Sequence, residues 1–122
     1  MKILIAEDDP MNQILIKMYM NESGWEYVLV KNGYLAVEAC KNEDFDIILM
    51  DLKMPVLDGV EATKQIRLFN VKVPIVAISA HSEARNGVEC TLAGMNAYVE
   101  KPFTLEEIQN VITRFTGISL TT

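Results

Sequence analysis

The chain has 122 residues, half of them hydrophobic and 23% charged, which is the size and composition of one globular domain rather than a disordered segment. Eleven basic and seventeen acidic side chains leave a net charge of -6, which disfavours direct contact with nucleic acid or anionic lipid. The apolar runs are too short to cross a membrane, and the N-terminus lacks the pattern of a signal peptide. We therefore expect one cytoplasmic domain over residues 1–122, with 117–122 as a tail and free thiols at Cys40 and Cys90.

Five short apolar runs predict strands, and each run is followed by a segment with helical features. The predicted strands cover residues 2–6, 26–31, 45–50, 73–78 and 97–100. Capping residues predict helix starts at Asp9-Pro10, Asn32-Gly33, Asp58-Gly59-Val60-Glu61 and Thr104-Leu105-Glu106-Glu107. The helices are predicted to end near Ser23-Gly24, Glu43, Gly94 and Gly117.

The spacing of apolar residues predicts which face of each helix is buried. In the first helix the predicted inner face holds Met11, Ile14, Leu15, Met18 and Glu22. In the third helix it holds Ala62, Ile66 and Phe69, and in the fourth Ala84, Val88, Leu92 and Met95. Each of these helices therefore has a stripe with which to cover a sheet.

The alternation of strands and helices predicts a parallel sheet with right-handed crossover connections. Five such units are too few for an eight-unit barrel, so we expect an open, doubly wound α/β domain. The third strand is apolar from Ile47 to Met50, as is typical of a central strand covered on both faces. In such a domain the site lies beyond the carboxyl ends of the strands.

Polar side chains stand at the carboxyl ends of four of these strands. They are, in chain order, Glu7, Asp8, Asp51, Ser79 and Lys101. Each alone has an ordinary explanation, such as a helix cap, a turn residue or a surface charge. Because the carboxyl ends of parallel strands meet at one edge, their joint placement favours a site.

Clustered carboxylates need a cation, since two unit negative charges about 4 Å apart repel by about 4 kcal/mol at an effective dielectric constant of 20. Oxygen donors without His or Cys favour Mg²⁺ over zinc. Acids also stand where a glycine-rich loop would cradle a nucleotide or flavin phosphate. What remains is a metal-assisted site where a carboxylate can attack a phosphoryl group, Lys101 can neutralise one phosphoryl oxygen and Ser79 can donate to another.

Because of these residues and their spacing, the sequence resembles the receiver domain of two-component response regulators, from Ile3 to about Phe115. The likeness rests on the motifs Glu7-Asp8, Asp51-Leu-Lys-Met-Pro-Val-Leu-Asp-Gly59, Ser79-Ala80 and Lys101-Pro102-Phe103. It implies a flavodoxin-like sheet of five parallel strands in the order 2-1-3-4-5 with five helices. It also implies that residues 1–122 form a single receiver domain rather than an enzyme.

The resemblance implies roles for the acidic residues. Asp51 would be the phosphoacceptor, and Asp8 and Asp51 would bind Mg²⁺ directly, with Mn²⁺ as a possible substitute. Glu7, which replaces the commoner Asp, would bind through water, and the main-chain carbonyl of Lys53 would complete the protein ligands. His81 and Lys53 would flank the path of attacking water, which leaves the lifetime of the phosphate open.

The resemblance also implies a switch. Ser79 and Lys101 would contact the phosphoryl group, and Tyr98 would turn inward as Ser79 moves. The Lys101-Pro102 bond would be cis. Phosphorylation would then change the face formed by the fourth helix, fifth strand and fifth helix, where a downstream partner would bind, and the domain would slowly remove its own phosphate.

Several stretches resemble receivers of hybrid kinases and phosphorelays, among them Pro10-Met-Asn-Gln13 and Ala93-Gly-Met-Asn96. The donor would be a histidine kinase or a histidine phosphotransfer protein that docks near Met11 and Asn12. Two alternatives stay open. One is a degenerate, non-phosphorylated interaction module, and the other is a small phosphatase with an aspartyl nucleophile, although Asp51-Leu52-Lys53 lacks the second acid typical of that class.

Overall fold

Strands and helices alternate along the part of the chain that the computed structural model describes, residues 1–80 and 87–118. They are β1 (Lys2–Ala6), α1 (Pro10–Ser23), β2 (Glu26–Val30), α2 (Gly33–Asn42), β3 (Ile47–Asp51), α3 (Gly59–Arg67), β4 (Ile75–Ala80), α4 (Gly87–Ala93), β5 (Ala97–Lys101) and α5 (Leu105–Thr116). The five strands are parallel, and their order is β2-β1-β3-β4-β5. The predicted α/β class and strand order are confirmed.

Side-chain caps begin the helices at the predicted residues. Asp9 caps α1, Asn32 caps α2 and Asp58 caps α3, each by accepting a hydrogen bond from a backbone N–H three residues later. At α5 the capping box is complete, because Thr104 and Glu107 exchange hydrogen bonds of 3.1 Å in both directions. These caps fix the point at which the chain leaves each strand end, and thus the shape of the loops at that edge.

The sheet is covered on both faces by apolar side chains. Helices α2, α3 and α4 pack on the face that holds Leu4, Ile48, Met50, Ile75 and Ala77. Helices α1 and α5 pack on the face that holds Ile3, Ile5, Leu49, Val76 and Ile78. Each residue of β3 is buried, as the uninterrupted apolar run predicted, and the strand ends at the edge of the sheet with Asp51.

The prediction of which face of α1 packs on the sheet is wrong. Met11, Ile14 and Met18 are 73%, 57% and 61% exposed, whereas Ile16 and Met20 are fully buried. Apolar residues occur on several sides of this helix, so their spacing alone does not say which side meets the sheet. Only Leu15 of the predicted stripe packs, partly buried, against the core.

Two further helix positions differ from the prediction. Leu92 of α4 is 81% exposed and Phe69 after α3 is 45% exposed, while Ala62, Ile66 and Met95 are buried as predicted. The predicted Ala84 lies outside the described residues. Cys40 and Cys90 are not joined by a disulfide bond. No helix within the described ranges is long and apolar enough to cross a membrane.

Candidate functional site

The end of β1 buries one acid and exposes the next. After the last strand residue, the backbone N–H of Glu7 still donates to the carbonyl of Val30 at 3.0 Å, so the chain keeps its strand direction for one more residue. The Glu7 side chain is fully buried, and its Oε2 accepts a 3.1 Å hydrogen bond from the backbone N–H of Asp9. Asp8 lies between them and is exposed at the edge of the sheet.

The end of β3 brings Asp51 to the same edge. Its side chain is nearly buried, and its Oδ1 accepts a 3.3 Å hydrogen bond from the backbone N–H of Lys53. The start of α3 lies directly against it, since a Cβ atom on Gly59 would be 2.1 Å from the main-chain oxygen of Asp51. Glycine is therefore needed at position 59 to let the helix approach the strand.

Lys101, the last residue of β5, reaches both buried acids. Its Nζ lies 2.9 Å from Oε1 of Glu7 and 3.1 Å from Oδ2 of Asp51. The contact with Asp51 is also a hydrogen bond, whereas the contact with Glu7 is an ion pair without hydrogen-bond geometry. The bond between Lys101 and Pro102 is cis.

The burial of these charges changes their affinity for protons. Burial, followed by the nearby carboxylate of Glu7, raises the pKa of Asp51 to about 7, although Lys101 acts against this rise. For Lys101, burial acts to lower the pKa, but the two carboxylates outweigh it and the pKa is raised. The ammonium therefore stays charged, while one positive charge is too little to balance the acids around it.

The three carboxylates have the spacing of a cation site. Glu7, Asp8 and Asp51 each offer an oxygen atom, and these atoms lie within 4.8 Å of one another. All are hard oxygen donors, and two come from buried residues. This donor set fits Mg²⁺, which binds through one or two carboxylates and keeps several waters.

Other predicted residues lie around this cluster. Ser79 is fully buried near the end of β4, and its hydroxyl donates a long 3.4 Å hydrogen bond to the carbonyl of Ala80. Lys53 is exposed beside Asp51. Tyr98 on β5 is 39% exposed and lines a groove of about 480 Å³ between β5 and α5. His81 lies outside the described residues.

The first turn of α1 adds a residue for which the sequence predicted no role in the site. Met11 is exposed and Asn12 is half-buried in this turn. The missed residue is Gln13, whose side-chain amide donates a 2.7 Å hydrogen bond to the main-chain carbonyl of Glu7. No motif signals this contact, because it depends on how the chain turns between β1 and α1.

A doubly wound parallel sheet carries three acids, a serine and a lysine at one edge, beyond the carboxyl ends of its strands, which is where the sites of this class of α/β domain lie. The sequence matches the family described as the response regulator receiver domain over residues 3–113, and the chain belongs to this family. The domain is thus a receiver of two-component phosphorelay signalling.

The chain is similar in sequence to one part of several longer sensor kinases. It is 36% identical to the sensor protein GacS of Pseudomonas syringae pv. syringae, and the match covers 98% of this chain and 14% of that protein. It is also 36% identical to the autoinducer 1 sensor kinase/phosphatase LuxN of Vibrio harveyi, over 90% of this chain and 13% of that protein. The chain therefore spans about one seventh of the length of these relatives.

Solved structures show the same architecture. One is the receiver domain of the sensor histidine kinase PA1611 from Pseudomonas aeruginosa PAO1, with a TM-score of 0.89, 39% identity and coverage of 96% of this chain and 98% of that one. That structure has a magnesium ion coordinated in its active site cleft. Another is the receiver domain of Saccharomyces cerevisiae Ssk1 in complex with the histidine phosphotransfer protein Ypd1, with a TM-score of 0.89, 32% identity and coverage of 99% and 92%.

Proposed function

We propose that this receiver accepts a phosphoryl group on Asp51 from a histidine of a donor protein. The observation that carries the proposal is the position of Asp51, whose carboxylate lies at the sheet edge with Lys101 on one oxygen and the backbone N–H of Lys53 on the other. Such contacts hold the nucleophile in one orientation and leave a lysine beside the place where charge develops.

The transfer forms one O–P bond to the Asp51 carboxylate and breaks the P–N bond of the donor phosphohistidine. The electron pair of the broken bond stays on the imidazole nitrogen, so no other reactant is needed. Lys101 is placed to neutralise one phosphoryl oxygen, and the Ser79 hydroxyl, which donates a long hydrogen bond to Ala80, can turn to donate to another.

Asp8, Asp51, the main-chain carbonyl of Lys53 and, through water, Glu7 would hold Mg²⁺, with Mn²⁺ as a substitute. Bound there, Mg²⁺ would offset repulsion between the carboxylates and the incoming phosphoryl dianion. The spacing of the three carboxylates supports this assignment. The magnesium ion in the cleft of the PA1611 receiver supports it independently.

The donor is a histidine kinase or a histidine phosphotransfer protein that docks on the outer face of α1. Met11, Ile14 and Met18 form an exposed apolar stripe there, at helical spacing and next to the acidic cluster. A helical partner with an apolar face fits such a stripe. The complex of Ypd1 with the Ssk1 receiver supports a phosphotransfer protein as donor.

The output is a change of the face formed by α4, β5 and α5. Ser79 pairs with Glu100 in the ladder between β4 and β5, so movement of Ser79 acts on the strand that carries Tyr98. Tyr98 would then leave the groove against α5 for an inward position, and a downstream partner would bind the altered face. Lys53 and His81 would tune the slow self-hydrolysis of the phosphate.

The intact contact between Lys101 and Asp51 favours this proposal over a degenerate module. Incubation with radiolabelled acetyl phosphate and Mg²⁺ should give acid-labile label in the wild type and none in Asp51→Asn. Asp44→Asn, an exposed aspartate changed in the same way, is the matched control and should label fully. Equal labelling of the two variants would overturn the assignment, and multiple turnover of a phosphate ester would favour a phosphatase.

A further inference from the structure

The main-chain carbonyl of Glu7 is the first one beyond the pairing of β1. The ladders with β2 and β3 both end at Ala6, which pairs with Val30 and Met50. The carbonyl of Glu7 instead accepts the 2.7 Å hydrogen bond from Nε2 of Gln13. A side chain of α1 thus satisfies a backbone group that the sheet leaves at the edge of the site.

Gln13 itself is fixed by the start of α1. Its backbone N–H donates to the carbonyl of Asp9 at 2.9 Å, which is the first hydrogen bond of the helix. Asp9 also caps the helix through Asn12 and donates its own N–H to the Glu7 carboxylate. Residues 7–13 therefore form a closed loop of hydrogen bonds, and Gln13 closes it at the carbonyl of Glu7.

The peptide unit between Glu7 and Asp8 is planar, so the direction of the Glu7 carbonyl also sets the position of the Asp8 Cα atom. The exposed Asp8 has no strand pairing of its own to orient it. One of its carboxylate oxygens nevertheless lies within 4.8 Å of oxygens of Glu7 and Asp51, and sharing a cation depends on keeping these atoms close. A donor on the Glu7 carbonyl is a direct way to hold that geometry.

We propose that Gln13 is a positioning residue for the cation site: its hydrogen bond to the Glu7 carbonyl fixes the Glu7-Asp8 peptide and thereby the affinity of the site for Mg²⁺. This inference rests on the proposed function, because it assumes that the carboxylates bind Mg²⁺. Gln13 touches neither the cation nor the phosphoryl group. Its loss should therefore weaken Mg²⁺ binding without lowering the rate at saturating Mg²⁺.

Gln13→Met tests the proposal, since it keeps the length of the side chain and removes the donor. Gln109→Met is the matched control, because Gln109 also donates one side-chain hydrogen bond, to Ser23 at 2.9 Å, on the helix pair α1 and α5. Titration calorimetry with Mg²⁺ alone should show affinity about tenfold weaker in Gln13→Met and unchanged in Gln109→Met. Labelling by acetyl phosphate at saturating Mg²⁺ should match the wild type in both.

Wild-type Mg²⁺ affinity in Gln13→Met would overturn this inference and leave the proposed function intact. A parallel loss of melting temperature and labelling at saturating Mg²⁺ would show a merely structural role and also overturn it. If the methionine variant folds poorly, the same Mg²⁺ titration is made with Gln13→Ala, which also removes the donor and favours helix formation. Absence of Mg²⁺ binding in the wild type would overturn both the inference and the proposed cation site.

Discussion

The ammonium nitrogen of Lys101 lies 3.1 Å from Oδ2 of Asp51, and the same nitrogen is 2.9 Å from the fully buried carboxylate of Glu7. The two buried carboxylates of Glu7 and Asp51 thus share one ammonium group, and Asp8 adds a third carboxylate at the same edge. Taking charges out of water is costly, and it is offset only where opposite charges meet closely. Lys101 therefore offsets part of the repulsion between the acids at this edge.

Lys101→Met should destabilise the metal-free protein by about 2–4 kcal/mol, because it leaves two buried carboxylates without their ammonium. Urea unfolding in EDTA measures this change. Lys64→Met, which removes an exposed lysine paired with Glu61 on α3, should cost less than about 0.5 kcal/mol. Equal destabilisation of the two variants would contradict the role given to Lys101.

The pH dependence of stability should carry the signature of Asp51. Burial and then Glu7 raise its pKa from 3.8 to about 7, so the folded protein binds this proton more tightly than the unfolded chain. The resulting stability is complete below the unfolded pKa and is lost as the pH rises through about 7. The metal-free wild type should therefore lose stability relative to Asp51→Asn, by about 1–3 kcal/mol between about pH 5 and pH 8.

Urea unfolding of both proteins in EDTA across this range isolates the contribution of Asp51 from that of the other acids. At high pH, saturating Mg²⁺ should stabilise the wild type and so reduce its loss of unfolding free energy relative to Asp51→Asn, because the cation favours the ionised carboxylate. A difference between the two proteins that stays constant with pH would contradict the raised pKa.

Gly59→Ala should move the end of β3. The added Cβ would lie 2.1 Å from the main-chain oxygen of Asp51, so the backbone has to shift, at a cost of about 2–3 kcal/mol and with weaker Mg²⁺ binding. Gly117→Ala is the contrast, because no atom of the described residues lies within 4 Å of its Cβ position, while its φ of 70° opposes the change. It should cost about 1 kcal/mol and leave Mg²⁺ binding unaltered. Normal Mg²⁺ binding by Gly59→Ala would count against a close helix–strand contact at the site.

Val56→Asn should stabilise the protein. Val56 has a φ of 70°, which a β-branched residue rarely adopts, and its side chain is 80% exposed, so little packing is lost. Asparagine tolerates this conformation, and the expected gain is about 0.5–1 kcal/mol in urea unfolding. A loss of stability would show that Val56 makes a contact worth more than its backbone strain.

The sequence predicted most of the fold and the residues that meet at the edge of the sheet, because both follow from local patterns. The run from Ile47 to Met50 marked the central strand, and the acids and Lys101 stood directly at strand ends. The capping residues Asp9 and Asn32 placed helix starts to the residue.

What the sequence did not predict depends on contacts between elements. The inner face of α1 could not be chosen while apolar residues lay on several sides of it, and Ile16 and Met20 are buried only because the sheet lies there. For the same reason Leu92 was predicted to be buried in α4, whereas it is exposed. Gln13 and the close approach at Gly59 depend on where two backbones meet, which no periodicity encodes.

The central claim, that Asp51 carries the phosphoryl group, is tested most directly by chemical mapping of the phosphorylated residue. The protein is phosphorylated by acetyl phosphate or a phosphorylated histidine phosphotransfer protein, reduced with borohydride and sequenced by mass spectrometry. Borohydride converts an aspartyl phosphate to homoserine, so homoserine should appear at position 51 in the wild type, with none in a sample prepared without Mg²⁺. Homoserine at Asp8 instead, or phosphate that resists acid and sits on another residue, would contradict the account.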